Sequence, residues 1–546
     1  MLDFPFVRRH ATGVTLGAFI LVAVGLSLAP VPEWLVPLDL LQSEDPAHAF
    51  VAALLKQPDA IPLPDQLADQ LQAEDPLPPD EVPPPPEVRA STVSAPRTTW
   101  QMPERPDVDR YAGRLGLVAD PIENPCVAPG EGGACERRAL SRFFGALERV
   151  ERGDPGAVAR IIHFGDSLIA SDKISDRARL RLQQRFGSAG RGFLMAKRFN
   201  QFQRGQRSGR GSEGWELDVI TASLKSLEDR HFGFSGASFT SKKSGETLTF
   251  EPIDESRFMR LYYLAHPEGT PLEVKADGAL IETLETRADM AEGREYALEL
   301  PEGTERLVLE STGPGARVYG LSLESSGSGV IWSTLGLPGA TSEVWLRPDE
   351  AEAARLLSNR EPSLAIIMLG GNDGLMLAKK RATAEELERD AAAFVDRVQA
   401  ALPGADCMLV TPLEAVRAKG GGRLIPKPEV EVILEILGRV AEVKGCALWD
   451  MYTSMGGKGS LKKWVSARLM LGDLIHPRSR GSDLLGELFA ESIMRAYDER
   501  GGASVEASPA DAGVIDAADA GGSAEDAGTS KKRRKQRRRR RRRAPR

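Results

Sequence analysis

Five short apolar runs constrain the fold of this chain more than any other feature. They are 160–165 (RIIHFG), 330–336 (VIWSTLG), 364–369 (LAIIML), 407–411 (CMLVT) and 447–452 (ALWDMY). Unbroken runs of this length, without polar alternation, are the signature of strands buried on both faces. Long stretches with apolar residues at three- and four-residue steps lie among them, at 383–402, 430–443 and 484–497, with a further helical stretch at 175–186. Strand and helix therefore alternate, which predicts an α/β fold with a flavodoxin-like, doubly wound parallel sheet.

Between 232 and 325 the pattern changes. Runs such as TLTFEP (247–252), FMRLYYLA (258–265), LEVKA (272–276), YALEL (296–300), RLVLE (306–310) and RVYGLSLE (317–324) are short and largely alternating, broken by turns rich in Gly and Pro. This reads as an antiparallel β-sandwich. Because buried strands occur on both sides of it, the sandwich is expected as an insertion, dividing the α/β domain into 107–231 and 326–500.

Composition bounds the rest. The chain has 546 residues with 54 Gly, 37 Pro and four Cys, and 41% hydrophobic against 27% charged side chains. A small disulfide-stapled fold, a wholly disordered chain and a polytopic membrane protein are excluded. The net charge of −7 hides a separation, since 13 of the 71 basic residues fall within 531–546. The remaining 58 face 78 acidic residues, a net −20 for the body. The tail, 501–546, is rich in Ala, Gly, Asp and Ser before its Arg/Lys-rich end and cannot fold alone. Its expected partners are envelope polyanions or anionic lipid, with folding back on the acidic body as another reading. It would bind nucleic acid without reading sequence, so specific nucleic-acid recognition is not expected.

At the other end, Arg8 and Arg9 precede an uncharged run, 11–29, long enough at about 1.5 Å per residue to cross most of a bilayer. It is read as a transmembrane anchor. A cleaved signal peptide is the alternative, with Pro30 unfavourable just after the cut. The charge bias leaves 1–10 in the cytoplasm and the rest outside, so the working domain is expected to be membrane-anchored and extracytoplasmic. Residues 30–106, dense in Pro, Asp and Glu, form a linker. Outside the cytoplasm Cys126 and Cys135 are expected to bridge. Cys407 and Cys446 are read as separate small buried side chains, and no metal site is expected because no His or second Cys lies at ligand spacing.

Four blocks carry candidate chemistry. The first apolar run ends in Gly165-Asp166-Ser167-Leu168, which places Ser167 at the carboxyl end of a strand, where ligands bind in doubly wound sheets. Two more runs end in Leu335-Gly-Leu-Pro-Gly339 and in Gly370-Gly371-Asn372-Asp373. The backbone N–H of Gly339, the side-chain amide of Asn372 and the Ser167 N–H could together hold a developing oxyanion. Asp473-Leu-Ile-His476-Pro477 precedes the last helix, and its spacing lets the carboxylate reach imidazole Nδ1 and leave Nε2 to take a serine proton. The bland alternatives are a helix-capping turn at Ser167 and a local turn at Asp473. Other imidazoles are His163, read as a core residue, and His231 and His266, in or beside the insertion with no partner at a telling spacing.

Taken in order, these blocks resemble the SGNH (GDSL-type) hydrolase family. The resemblance implies that Ser167 is the nucleophile, His476 the base and Asp473 its orienting carboxylate. Ser167, Gly339 and Asn372 then form the oxyanion hole, and no metal or organic cofactor is needed. LQQRFGSAGRGF (182–193) and the inserted β-rich segment resemble more narrowly the bacterial peptidoglycan O-acetylesterases. That implies removal of O-acetyl groups from an acetylated envelope polysaccharide, with the insertion as a carbohydrate-binding sandwich. The second block lacks the usual Asn, and Leu168 follows the serine; both departures leave the substrate open. Acetyl transfer to a polysaccharide on the same fold, and a catalytically silent glycan- or polyanion-binding envelope protein, are the competing functions.

Overall fold

The computed structural model describes residues 106–200, 209–222, 229–253, 256–419 and 423–500. The expected N-terminus 1–10, membrane span 11–29, tail 501–546 and all of the linker but its last residue lie outside them. No described helix is long and apolar enough to cross a membrane.

All five apolar runs form strands of one parallel sheet: β1 (Val158–Gly165), β2 (Gly329–Gly336), β3 (Leu364–Met368), β4 (Asp406–Val410) and β5 (Ala447–Trp449), in the order β2-β1-β3-β4-β5. Every residue of β2, β3 and β4 is buried: helices cover both faces of β3 and β4, and β2 has helices on one face and the Gly192–Met195 segment against the other. On one face α1 (Ser141–Arg152), α2 (Lys173–Phe186) and α5 (Ser479–Glu499) pack over Ile161, Trp332, Ile366 and Met408. On the other, α3 (Ala384–Ala401) and α4 (Glu429–Lys444) cover Ile162, Phe164, Ile367 and Leu409. Local signals set the helix ends. Thr383 and Glu386 form a reciprocal capping box at the start of α3, and α1 and α4 stop at Gly153 and Gly445 in the left-handed conformation.

Two antiparallel sheets stand between α2 and β2. One orders Ala279–Leu284, Leu272–Ala276, Leu307–Ser311, Thr247–Phe250 and Arg210–Gly211. The other orders Glu292–Glu299, Phe258–Ala265, Arg317–Glu324, Ala237–Ser241 and Trp215–Val219, and Gly192–Met195 also pairs with Arg317–Glu324. Strand pairing thus begins at Gly192, and the start expected at 232 is corrected. Gly192–Met195 is a short apolar run without alternation, so it carries no periodic signal of its own. The sandwich residues Leu261, Leu272 and Val318 share one continuous core with Ile162 and Phe164 of the parallel sheet.

Cys126 and Cys135 are joined, Cα to Cα 5.7 Å, across a small hairpin. The reading of Cys407 and Cys446 as separate thiols is corrected: they form a second disulfide with Cα atoms 4.7 Å apart. The β4–β5 register pairs Met408 with Ala447, and the step before it sets the two cysteines side by side. Helix α4 separates them in sequence, which hid the pairing.

Candidate active site

Each expected site residue sits at the carboxyl end of the parallel sheet or on a loop folded over it. β1 ends at Gly165, and a one-turn helix, Ser167–Ala170, follows at once. A Cβ on Gly165 would lie 2.3 Å from the Ile169 side chain, and one on Gly336 would lie 2.0 Å from the Ala170 nitrogen. Glycine at both positions lets the turn settle onto the ends of β1 and β2. Asp166 caps the turn, its Oδ1 accepting the Leu168 N–H at 2.9 Å.

The Asp473–His476 segment is pinned just before α5. Leu471 N–H donates to the His476 carbonyl and Arg478 N–H to the Leu469 carbonyl, both at 2.8 Å, while Leu474 takes a left-handed φ of 59°. Asp473 Oδ1 accepts the backbone N–H groups of Ile475 and His476, each at 3.0 Å. Its Oδ2 lies 2.7 Å from His476 Nδ1, and His476 Nε2 lies 2.7 Å from Ser167 Oγ. An ionised carboxylate only accepts, so the ring proton belongs on Nδ1 and Nε2 is left to accept from the serine hydroxyl. Burial raises the Asp473 carboxyl, but hydrogen bonds from the His476 ring and from the two backbone N–H groups outweigh it and hold it below the usual range.

Asn372 opens the helix Gly371–Ala378 that follows β3. Its Nδ2 donates to the Ala340 carbonyl at 3.1 Å and to Asp166 Oδ2 at 3.3 Å, so one amide ties three strand ends together. Gly339 precedes Ala340 in a left-handed turn with φ of 84°, and its α-carbon faces open space. Asp166 and Asp373, which the sequence reading left without a role, are both buried. Burial pushes each carboxyl up to about 6. For Asp166, the Leu168 N–H and His476 pull the other way and Asp373 adds to the rise. For Asp373, the N–H and hydroxyl of Ser342 are among the groups that oppose it.

The other imidazoles among the described residues are engaged elsewhere. His163 is fully buried near Trp332 and Phe489, and burial pushes its ring down to about 3, so it is a neutral core group. His231 Nδ1 lies 2.8 Å from Glu352 Oε2, and His266 Nε2 lies 2.8 Å from the Gly315 carbonyl. The partner of His231 stands 121 residues away, which is why spacing gave no sign of it. Among the described residues, no group of three His, Cys, Asp or Glu side chains could hold a metal ion. A serine hydroxyl, an imidazole that accepts its proton and a fixed carboxylate behind the imidazole are sufficient for acyl transfer through a covalent intermediate.

Residues 304–484 match the family model of the GDSL-like lipase/acylhydrolases. That segment is a GDSL-type (SGNH) hydrolase domain. The chain is accordingly an ester hydrolase, and the matched segment holds Gly339, Asn372, Asp473 and His476, with Ser167 ahead of it on the far side of the inserted sheets. Among solved structures the chain is similar to a peptidoglycan O-acetylesterase, at 21% identity and a TM-score of 0.56, over 66% of this chain and 97% of that one. Looser likenesses are an acetylxylan esterase from Geobacillus stearothermophilus (19% identity, TM-score 0.24, 31% and 73% of the two chains) and a salicylyl-acyltransferase from a tetracycline biosynthetic pathway (16%, 0.23, 54% and 98%). Neither superposes closely enough to bear on substrate. Compared by sequence with curated proteins, the chain matches none.

Proposed function

We propose that this SGNH hydrolase is a serine esterase that removes O-acetyl groups from a cell-envelope polysaccharide, with peptidoglycan as the substrate. The observation that carries the reading is the unbroken chain of contacts from Ser167 Oγ through the His476 ring to Asp473, with 2.7 Å at each end. In this reading Ser167 Oγ attacks the acetyl carbonyl as His476 Nε2 takes its proton. The Ser167 and Gly339 N–H groups and the Asn372 amide then hold the oxyanion. Asn372 must turn its amide from Ala340 or Asp166 toward that oxygen. His476 returns the proton to the leaving sugar oxygen. Water, activated by the same imidazole, then releases acetate.

Two observations support the envelope polysaccharide. The likeness to the peptidoglycan O-acetylesterase extends over nearly the whole of that protein, which gives the inserted sheets a counterpart there. Two disulfides fit an oxidising compartment outside the cytoplasm. The inserted sheets would hold a glycan strand, lending binding energy from parts of the substrate that do not react. Acetate released by the full chain from O-acetylated peptidoglycan, compared with O-acetylated xylan, tests the assignment. Faster release from peptidoglycan is expected, and equal rates would overturn it.

A further inference from the structure

The segment 182–193 contains Gly190-Arg191-Gly192, which the proposed mechanism leaves without a task. A Cβ on Gly190 would lie 2.6 Å from the Leu323 carbonyl oxygen and the Glu324 α-carbon. One on Gly192 would lie 2.9 Å from Ser333 Oγ and 3.2 Å from the Trp332 carbonyl oxygen. The two glycines therefore let the backbone thread between β2 of the parallel sheet and the Arg317–Glu324 strand of the inserted sheets. Arg191, between them, is only 9% exposed.

The Arg191 guanidinium donates through Nη2 to Asp172 Oδ2. Asp172 is 1% exposed, and its Oδ1 accepts the Thr334 hydroxyl at 2.8 Å. Arg179 Nη1 stands 3.9 Å from the same carboxylate. Asp172 also breaks two local rules. It adopts a left-handed φ of 56°, and it occupies the N-cap position of α2 without capping that helix. A non-glycine residue stays in such a conformation only where its surroundings over-determine it, and such residues gather at functional sites.

Asp172 lies at the end of the turn that begins with Ser167. Its N–H donates to the Ile169 carbonyl at 2.9 Å, and the Ser171 N–H donates to the Ser167 carbonyl at 3.2 Å. We infer that Arg191 is a positioning residue for Ser167. It acts through Asp172 and Thr334, locks the far end of the serine's turn to β2, and joins that turn to the first strand of the inserted sheets. The inference rests on the reading of Ser167 as nucleophile. Ser167 must meet an imidazole carried on a separate loop, and a shift of about 1 Å at such a contact costs on the order of 10²-fold in rate.

The test compares full-length wild type with Arg191→Met, Arg191→Lys and Thr334→Val on p-nitrophenyl acetate, each assayed well below its own melting midpoint. Labelling of Ser167 by a fluorophosphonate gives a second readout, because it reports the reactivity of the hydroxyl without turnover. Arg191→Met should lower kcat by about 10- to 10²-fold with KM nearly unchanged, and should slow labelling by the same factor. Arg191→Lys should recover part of both, and Thr334→Val should lower both by a smaller factor. A lowered melting midpoint with kcat and labelling at wild-type values would reduce Arg191 to a structural role and overturn the inference. Should Arg191→Met fail to fold, wild-type kcat and labelling in both other variants would overturn it equally. Ser167→Ala separates the two claims. Retained turnover there removes the nucleophile reading itself, whereas an inactive Ser167→Ala beside a fully active Arg191→Met removes only the inference.

Discussion

Ser167 Oγ and His476 Nε2 lie 2.7 Å apart although 309 residues separate them in the chain. The contact exists because β1 delivers the serine to the sheet's carboxyl edge, and the loop before α5 folds its imidazole over the same edge. If that contact activates the hydroxyl, Ser167→Ala and His476→Ala should each lower kcat for p-nitrophenyl acetate by at least about 10³-fold. The double variant should be little worse than either single one, since the two groups act as a unit. Near-wild-type turnover in either single variant, with circular dichroism unchanged, would remove the proposed mechanism.

The Asn372 amide spans the gap between the serine turn and the Gly339 loop. Asn372→Ala should lower kcat by about 10²–10³-fold, the usual cost of one oxyanion donor, and change KM much less. The melting midpoint should move little, because the amide is only partly buried and its bonds to Asp166 and Ala340 are long. A large fall in the midpoint with kcat intact would make Asn372 a strut between strand ends instead.

Much of this was legible before any coordinates. The parallel sheet announced itself because strands buried on both faces cannot hide a polar alternation, and β1 to β5 all lie where the apolar runs placed them. Asp473 and His476 were legible as a pair because three residues of loop bring their side chains together. The carboxylate partner of His231 was not, because Glu352 belongs to a different element and only the docking of the inserted sheets brings it near. The Cys407–Cys446 bridge was hidden for the same reason, being a matter of strand register across a helical crossover. Gly192–Met195 escaped notice because four buried residues in a row fit either kind of sheet.

Asp406 offers a test of burial that is independent of turnover. Its Oδ2 accepts the Phe143 N–H at 2.9 Å, its Oδ1 has no hydrogen-bond partner among the described residues, and Arg137 Nη1 stands 3.9 Å from that oxygen. Burial pushes the carboxyl up to about 6, against the opposing pull of the Phe143 N–H and of Arg142 and Arg137. A carboxyl with a raised folded-state pKa binds its proton more tightly when folded. Its contribution to stability is therefore complete below about pH 4 and is lost as the pH rises through about 6. Asp406→Asn keeps an acceptor for Phe143 and removes the buried charge. It should melt above wild type at pH 8, by up to about 3 kcal/mol, with the difference shrinking toward pH 4. A difference that is the same at both pH values would contradict this.

Glu352 is one of the groups that fasten the inserted sheets to the hydrolase. It lies on the helix Glu350–Ser358 beyond β2 and is 6% exposed. Its Oε1 accepts the Gly233 N–H at 3.0 Å and the Tyr319 hydroxyl at 2.9 Å, and its Oε2 accepts the Gly293 N–H at 2.8 Å and faces His231 Nδ1 at 2.8 Å. All four donors come from the inserted segment, so one buried carboxylate satisfies groups that would otherwise be stranded at the junction. Glu352→Ala leaves those donors without their acceptor and should cost about 3–5 kcal/mol, the range found when one partner is removed from a buried charged pair. The loss should be local first. Amide hydrogen exchange at Gly233 and Gly293 should accelerate by far more than exchange in β1, which is held by parallel neighbours on both sides. Exchange that speeds up equally at all three sites would mean that the inserted sheets and the parallel sheet open as one unit, with Glu352 serving overall stability and not the junction.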